Sequence, residues 1–162
     1  MTQHDDHLHA TRRRFLTDAA ALAGSLGLGL SLTLKPATAT PATMQAALKK
    51  VVGEAPLQKG KVKLDVPPLV ENGNVVPVTV TVDSPMTASD YVKAIHIFNE
   101  KNPQPNVIGA HLGPRAGRAT ISTRIRLADT QNLTAVAELS DGSFWTDSVQ
   151  VIVTLAACVE SL

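Results

Sequence analysis

The residue with the most chemistry to offer is Cys158, the single cysteine of a 162-residue chain whose sequence closes on "VIVTLAACVESL". With no second cysteine it has no intramolecular disulfide partner, so it is either a packed small hydrophobe or a thiol free for intermolecular chemistry. Burial is the usual fate of a free cysteine. Against it, Cys158 stands beyond the last strand pattern, four residues before the sequence ends, where chains are commonly solvated. Ala156, Ala157 and Ser161 are small and would let such a segment thread a narrow cleft.

The other reactive side chains are scattered. His96 alternates with Ile95 and Ile97, and His111 precedes the Leu112-Gly113-Pro114 turn. Either imidazole can ligate a metal or act as a base, but neither has a His or Cys two or four residues away, and a metal site needs three or four converging ligands. A surface or partner-facing imidazole is the plainer reading. Arg115 and Arg118 lie in a Gly-rich turn able to present N–H groups to an anion, and Arg124 and Arg126 would share a face of one strand. Their plainer reading is a solvated, salt-bridged strand face. Asp83, Asp90, Asp129, Asp141 and Asp147 fall at expected turns, where Asp bonds its own backbone. There are no paired carboxylates, nucleophile elbow, phosphate loop or C-x-x-C, so the expectation is a protein that is not itself an enzyme and uses no cofactor or metal.

The compartment follows from the N-terminus. Thr11-Arg12-Arg13-Arg14-Phe15-Leu16, then "DAAALAGSLGLGLSLTL" and the A-x-A pattern Ala37-Thr38-Ala39, reads as a twin-arginine export signal over residues 1–39. The apolar stretch of about 17 residues is at the short end of what spans a bilayer and is rich in Gly and Ala. His4, His7 and His9 leave with the signal. Lys and Arg then fall from 15 to 11 and Asp and Glu from 14 to 11, leaving a neutral chain of about 123 residues. Neither nucleic acid nor an anionic membrane surface suits a protein without concentrated positive charge. The expected location is the periplasm.

These residues need elements to hold them. "MQAALKKVV", Met44 to Val52, places Leu48, Val51 and Val52 at helical spacing and stops at Gly53, so residues 40–60 read as a short helix and linker. Alternation then takes over in "KVKLDV", "VVPVTVTV", "DYVKAIHIFNE", "VIGAHLG", "RATISTRIRLA", "NLTAVAELS" and "SVQVIVTL". Asn72-Gly73, Asn102-Pro103, Gly113-Pro114 and Asp141-Gly142 mark turns between them. Seven short strands over residues 61–155 predict an all-β domain, an antiparallel β-sandwich, with 156–162 as a C-terminal arm. Pro77 predicts an edge or a bulge in its strand, and Phe144 and Trp145 are expected to cover one end of the core. An apolar strand around "VVPVTVTV" makes a poor free edge, which favours pairing with a second small β-sandwich.

Two stretches, "VVPVTVTVDSPMTASDYVKAIHIFNEKNPQPNV" and "HLGPRAGRATISTRIRLADTQNLTAVAELSDGSFW", resemble the SoxY subunit family of bacterial sulfur-oxidation systems. The resemblance runs from about Val62 to Cys158. It implies an immunoglobulin-like sandwich paired with a SoxZ-like sandwich subunit, and thiosulfate-derived sulfur held covalently on a cysteine in a flexible C-terminal arm. It also implies service to the c-type cytochrome complex SoxAX, the hydrolase SoxB and the sulfane dehydrogenase SoxCD. Cys158 matches the family's attachment cysteine. The arm departs from the family's G-G-C-G-G pattern: here it reads Ala156-Ala157-Cys158-Val159-Glu160. Side chains in place of glycine restrict φ and ψ, and Glu160 sets a negative charge near any thiolate.

Overall fold

The computed structural model describes residues 39–157; residues 1–38, all but the last of the expected export signal 1–39, and the segment 158–162, with Cys158, lie outside the described residues. Helix α1 (Pro41–Val52) begins three residues before the apolar periodicity does. Pro41 stands at the first position, and Thr40 and Thr43 cap one another: Thr43 N donates to Thr40 Oγ1 at 3.2 Å and Thr40 N to Thr43 Oγ1 at 2.6 Å. The helix stops at Gly53, where φ is +65° and the N–H returns to Lys49 O at 2.8 Å. Met44, Leu48 and Val52, four apart, form its buried stripe.

Nine strands follow: β1 (Leu57–Gln58), β2 (Val62–Asp65), β3 (Leu69–Val70), β4 (Val76–Val82), β5 (Val92–Asn99), β6 (Asn106–His111), β7 (Thr120–Ile125), β8 (Gln131–Leu139) and β9 (Phe144–Val153). The larger sheet runs β1-β9-β8-β5-β6, with β3 also on β9; the smaller runs β2-β4-β7. The seven longer strands are the seven expected from alternation, and they pair antiparallel. The two-residue strands β1 and β3 add parallel pairs at the two ends of β9, Leu57 opposite Phe144 and Leu69 opposite Ile152. Two residues are too few to show a period.

Between the sheets, Val62, Leu64, Val76, Val78, Val80 and Val82 meet Ile95, Ile97, Leu133, Ala135, Ala137 and Val151 in one core. Small β-branched side chains at alternate positions fill this space with few aromatics; each one buried removes apolar area worth about 1.5–3 kcal/mol. The other face of the larger sheet carries a smaller core, where Phe98, Val136 and Phe144 pack under Met44, Leu48 and Val52 of α1. Phe144 thus belongs to β9 and to the helix contact, while half-buried Trp145 packs on the main core with Lys61 Nζ 5.0 Å over its ring.

Two local expectations are revised. β4 is the middle strand of its sheet, not a free edge, and only over Val76, Pro77 and Val78, past the last β2 pair at Asp65–Thr79, does it have a partner on one side alone. A proline is tolerated there because no ladder bond is required of its nitrogen on the open side. Asp147 is not a turn residue: it lies within β9, and its Oδ2 accepts from Leu64 N at 2.9 Å, linking the sheets. Among the described residues no helix is long and apolar enough to cross a membrane.

Candidate functional site

The chain that leads to Cys158 is stitched down residue by residue. Ile152 N donates to Pro68 O at 2.8 Å and Thr154 N to Val70 O at 3.0 Å, while Val153 N, from the other side, reaches Thr130 Oγ1 at 3.0 Å. Strand pairing ends at Val153, but the order does not. Gly73 N donates to Leu155 O at 2.8 Å, Leu127 N donates to Gly73 O at 2.8 Å, and Ala157 N donates to Leu127 O at 3.0 Å. Three segments therefore close on one point: the turn after β3, the exit of β7 and the exit of β9.

Gly73 is the residue that allows this. A Cβ there would stand 2.4 Å from Leu127 O, 2.8 Å from Ala157 N and 3.1 Å from Val153 Cγ1. No side chain fits against two backbone segments at those distances. The Asn72-Gly73 pair reads from sequence as an ordinary turn, and Asn72 does make one, its Oδ1 accepting from Asn74 N at 2.9 Å. What the pattern could not show is the approach of the two distant segments. The result is that Ala157 is 6% exposed, although Leu155 two residues earlier is 62% exposed. The stem is held up to the residue before the cysteine.

The four arginines do not form one surface. Arg115 sits in a short 3-10 turn (Pro114–Ala116), Arg118 follows it, and β7 ends at Ile125, so Arg126 falls outside the strand expected to align it with Arg124. All four are exposed, and the three ion pairs among the described residues, Lys49–Glu54, Lys93–Glu138 and Lys101–Asp129, use none of them. Only Arg126 adjoins a stem residue, Leu127, in sequence.

His96 and His111 do come together, on the helix-bearing face of the larger sheet. Their rings are 6.3 Å apart and edge-on, and no cluster of three or more His, Cys, Asp or Glu side chains suited to a metal occurs among the described residues. His96 lies against Gly109, where a Cβ would be 3.2 Å from its Nδ1, and that buried nitrogen has no hydrogen-bond partner. Burial first, and the charge of His111 second, hold the His96 pKa below its ordinary 6.5, with Glu138 opposing weakly. The unfolded chain then binds the proton more tightly than the folded one. Stability should be complete above about pH 6.5 and fall as pH drops from there toward the folded-state value, flattening below it. An NMR titration of His96 with its midpoint below that of a free imidazole, matched by loss of urea stability over the same window, is the expected result; His96→Phe should remove the slope.

Surface hollows of about 430 Å³ by the end of α1 and about 380 Å³ between β2, β4 and the 117–120 segment are not lined by the stem.

The family model for the sulfur oxidation protein SoxY matches residues 48–158. The comparison with curated proteins gives no match. Among solved structures, the sulfur carrier protein SoxY from Chlorobium limicola f thiosulfatophilum is 30% identical, with 70% of this chain and 98% of that one covered and a TM-score of 0.59. A putative superoxide reductase from Thermotoga maritima is 18% identical over 60% of this chain and 93% of its own, with a TM-score of 0.52. The superoxide reductase (neelaredoxin) from Ignicoccus hospitalis is 16% identical over 71% and 94%, also with a TM-score of 0.52. At those identities the two reductases share the fold alone.

Proposed function

Because this chain belongs to the SoxY family of sulfur oxidation proteins, being matched over residues 48–158, we propose that it is a periplasmic sulfur carrier whose Cys158 holds thiosulfate-derived sulfur covalently while partner enzymes act on it. In loading, the thiol and thiosulfate together lose two electrons and one proton, forming a new S–S bond and leaving Cys–S–S–SO3⁻. The electrons pass to a c-type cytochrome complex, SoxAX-like. A SoxB-like hydrolase then adds water across the bond to the sulfonate, releasing sulfate and a proton and leaving Cys–S–SH. A SoxCD-like dehydrogenase takes the remaining sulfane sulfur further. In this reading the chain supplies the attachment atom, and the partner enzymes supply the chemistry.

The single observation that carries this reading is the family match, which runs to residue 158, the chain's one cysteine. Backbone bonds to Gly73 and Leu127 hold Ala157, one peptide unit before it. We further propose that the twin-arginine leader exports the chain, and that a SoxZ-like sandwich subunit pairs with it in an interface of roughly 1,200 Å² or more. The edge strands are β6 and, along β9, the two-residue β1 and β3 in the larger sheet, and β2 and β7 in the smaller. Carriage requires a thiol that reagents reach in the folded state. Iodoacetamide should alkylate Cys158 in the native protein at a rate within about threefold of that in denaturant. A thiol that reacts only after denaturation is a core residue, and the chain is then a structural subunit with a silent cysteine.

A further inference from the structure

The register of the smaller sheet builds its outer face in rows. Lys63 stands opposite Thr81 and Thr81 opposite Thr120; two residues along, Asp65 stands opposite Thr79 and Thr79 opposite Ser122. Strand alternation sends Val62, Leu64, Val80 and Val82 into the core and these residues outward. In the second row Thr79 Oγ1 and Ser122 Oγ bond to each other at 3.0 Å. Thr81 and Thr120 form no such bond among the described residues, and their row is headed by a lysine where its neighbour has an aspartate.

The ladders run one step beyond this first row: Val82 N donates to Ala119 O at 2.9 Å and Asp83 N to Lys61 O at 2.8 Å. On either side Gly60 and Gly117, at φ of +119° and +74°, turn the chain into β2 and β7. Between them lies the hollow of about 380 Å³, whose lining includes Lys61, Lys63, Thr81, Asp83, Arg118 and Thr120. That is the size of a small-molecule site, but such sites are mostly apolar and this one is lined by hydroxyls and charge. The Lys61 ammonium lies over the Trp145 ring, which leaves Lys63 and Arg118 as the cations open to the hollow. The ion pairs among the described residues use neither of them, nor Asp83. β2 and β7 flank β4, so their backbones are about 10 Å apart, a gap that two long cationic side chains can close on an ion held between them.

We propose that this hollow binds a tetrahedral sulfur oxyanion, of the sulfate and thiosulfate kind, between the Arg118 guanidinium and the Lys63 ammonium, with the Thr81 and Thr120 hydroxyls donating to its oxygens. Arg suits the role because its planar fork meets two oxygens of one anion at once. A planar or monatomic anion meets one wall; a tetrahedral dianion presents oxygens to both. Asp83 is the one acidic residue of the lining and opposes the binding. Nothing here requires Cys158, so the site stands apart from the carrier reading.

The test is an NMR titration of the full chain, its thiol reduced, with sodium sulfate, with sodium thiosulfate and with sodium chloride at matched ionic strength. Each oxyanion should shift the Lys63, Thr81, Arg118 and Thr120 amides along saturable curves, and chloride should not. Arg118→Ala and Lys63→Ala, both at exposed positions, should each weaken binding about fivefold or more. Asp83→Asn should tighten it about twofold or more, a gain that damage to the fold would not produce. Arg124→Ala, on the same face two rows away, should bind as the unaltered protein does. Saturation by one oxyanion alone keeps the site and assigns it to that ion. Shifts that rise without saturating, or that chloride reproduces, are ionic screening and overturn the inference; so does saturable binding that Arg118→Ala and Lys63→Ala leave unchanged. Failure of the carrier reading would show elsewhere, as a Cys158 that takes up no sulfur.

Discussion

Replacing Cys158 by serine should abolish thiosulfate turnover in a system reconstituted from this chain, its partner subunit and the oxidising enzymes. The step that begins the cycle joins two sulfur atoms and removes two electrons. A serine hydroxyl offers neither a thiolate nor an oxidisable atom, and there is no second cysteine to substitute. The loss is therefore complete rather than partial, down to the rate measured without the carrier. Folding should be untouched, because the bonds that hold residues 152–157 in place use no atom of the cysteine. Electrons delivered to cytochrome c report the first quantity, and the urea midpoint together with co-purification of the partner subunit report the second. Cys158→Ser protein that still turns over thiosulfate would move the attachment point elsewhere. Cys158→Ser protein that unfolds or sheds its partner would make the cysteine a packing residue.

Gly73→Ala should be the most damaging single methyl in the described domain. The added carbon would lie 2.4 Å from Leu127 O and 2.8 Å from Ala157 N, and both are backbone atoms with no rotamer to escape into. Overpacking of this kind costs about 1–3 kcal/mol. Relief by moving the stem would break one or more of the bonds among Gly73, Leu127, Leu155 and Ala157, each worth about 1 kcal/mol net. A total near 3 kcal/mol is expected from the urea midpoint, with hydrogen exchange at the Ala157 and Leu127 amides rising well beyond that at the central strands. Gly113→Ala is the matched control, since a Cβ there meets nothing within 4 Å and φ is −137°. If the two variants are equally stable, the close approach at Gly73 does not hold the stem.

The positions of these residues were legible in the sequence to very different degrees. The seven longer strands and the sandwich follow from alternating valines, because one apolar face per strand is all that two facing sheets require. Helix α1 was legible at its Gly53 end and not at its start, because Thr40 and Thr43 cap each other in place of the Glu or Gln that usually marks that box. Strands β1 and β3 carry no signal of their own; they exist because β9 leaves free backbone groups at both ends. Phe144 was hidden by the turn signal before it, and Asp147 by its residue type. At the candidate site, the cysteine was legible as chemistry, but the stem was not. Gly73, Leu127 and Ala157 are far apart in the chain, and what unites them is the distance between their backbones. The two histidines were legible as a question, and the structure brings their rings to 6.3 Å without a third ligand among the described residues.

Mass spectrometry of the chain after incubation with thiosulfate and the c-type cytochrome complex tests the carrier reading most directly. The account predicts one added thiosulfate-derived group, Cys–S–S–SO3⁻, on the peptide that contains Cys158, removable by a reducing thiol and shortened to Cys–S–SH by the hydrolase. A protein that comes through the same incubation with its mass unchanged and Cys158 still free to alkylate would contradict it.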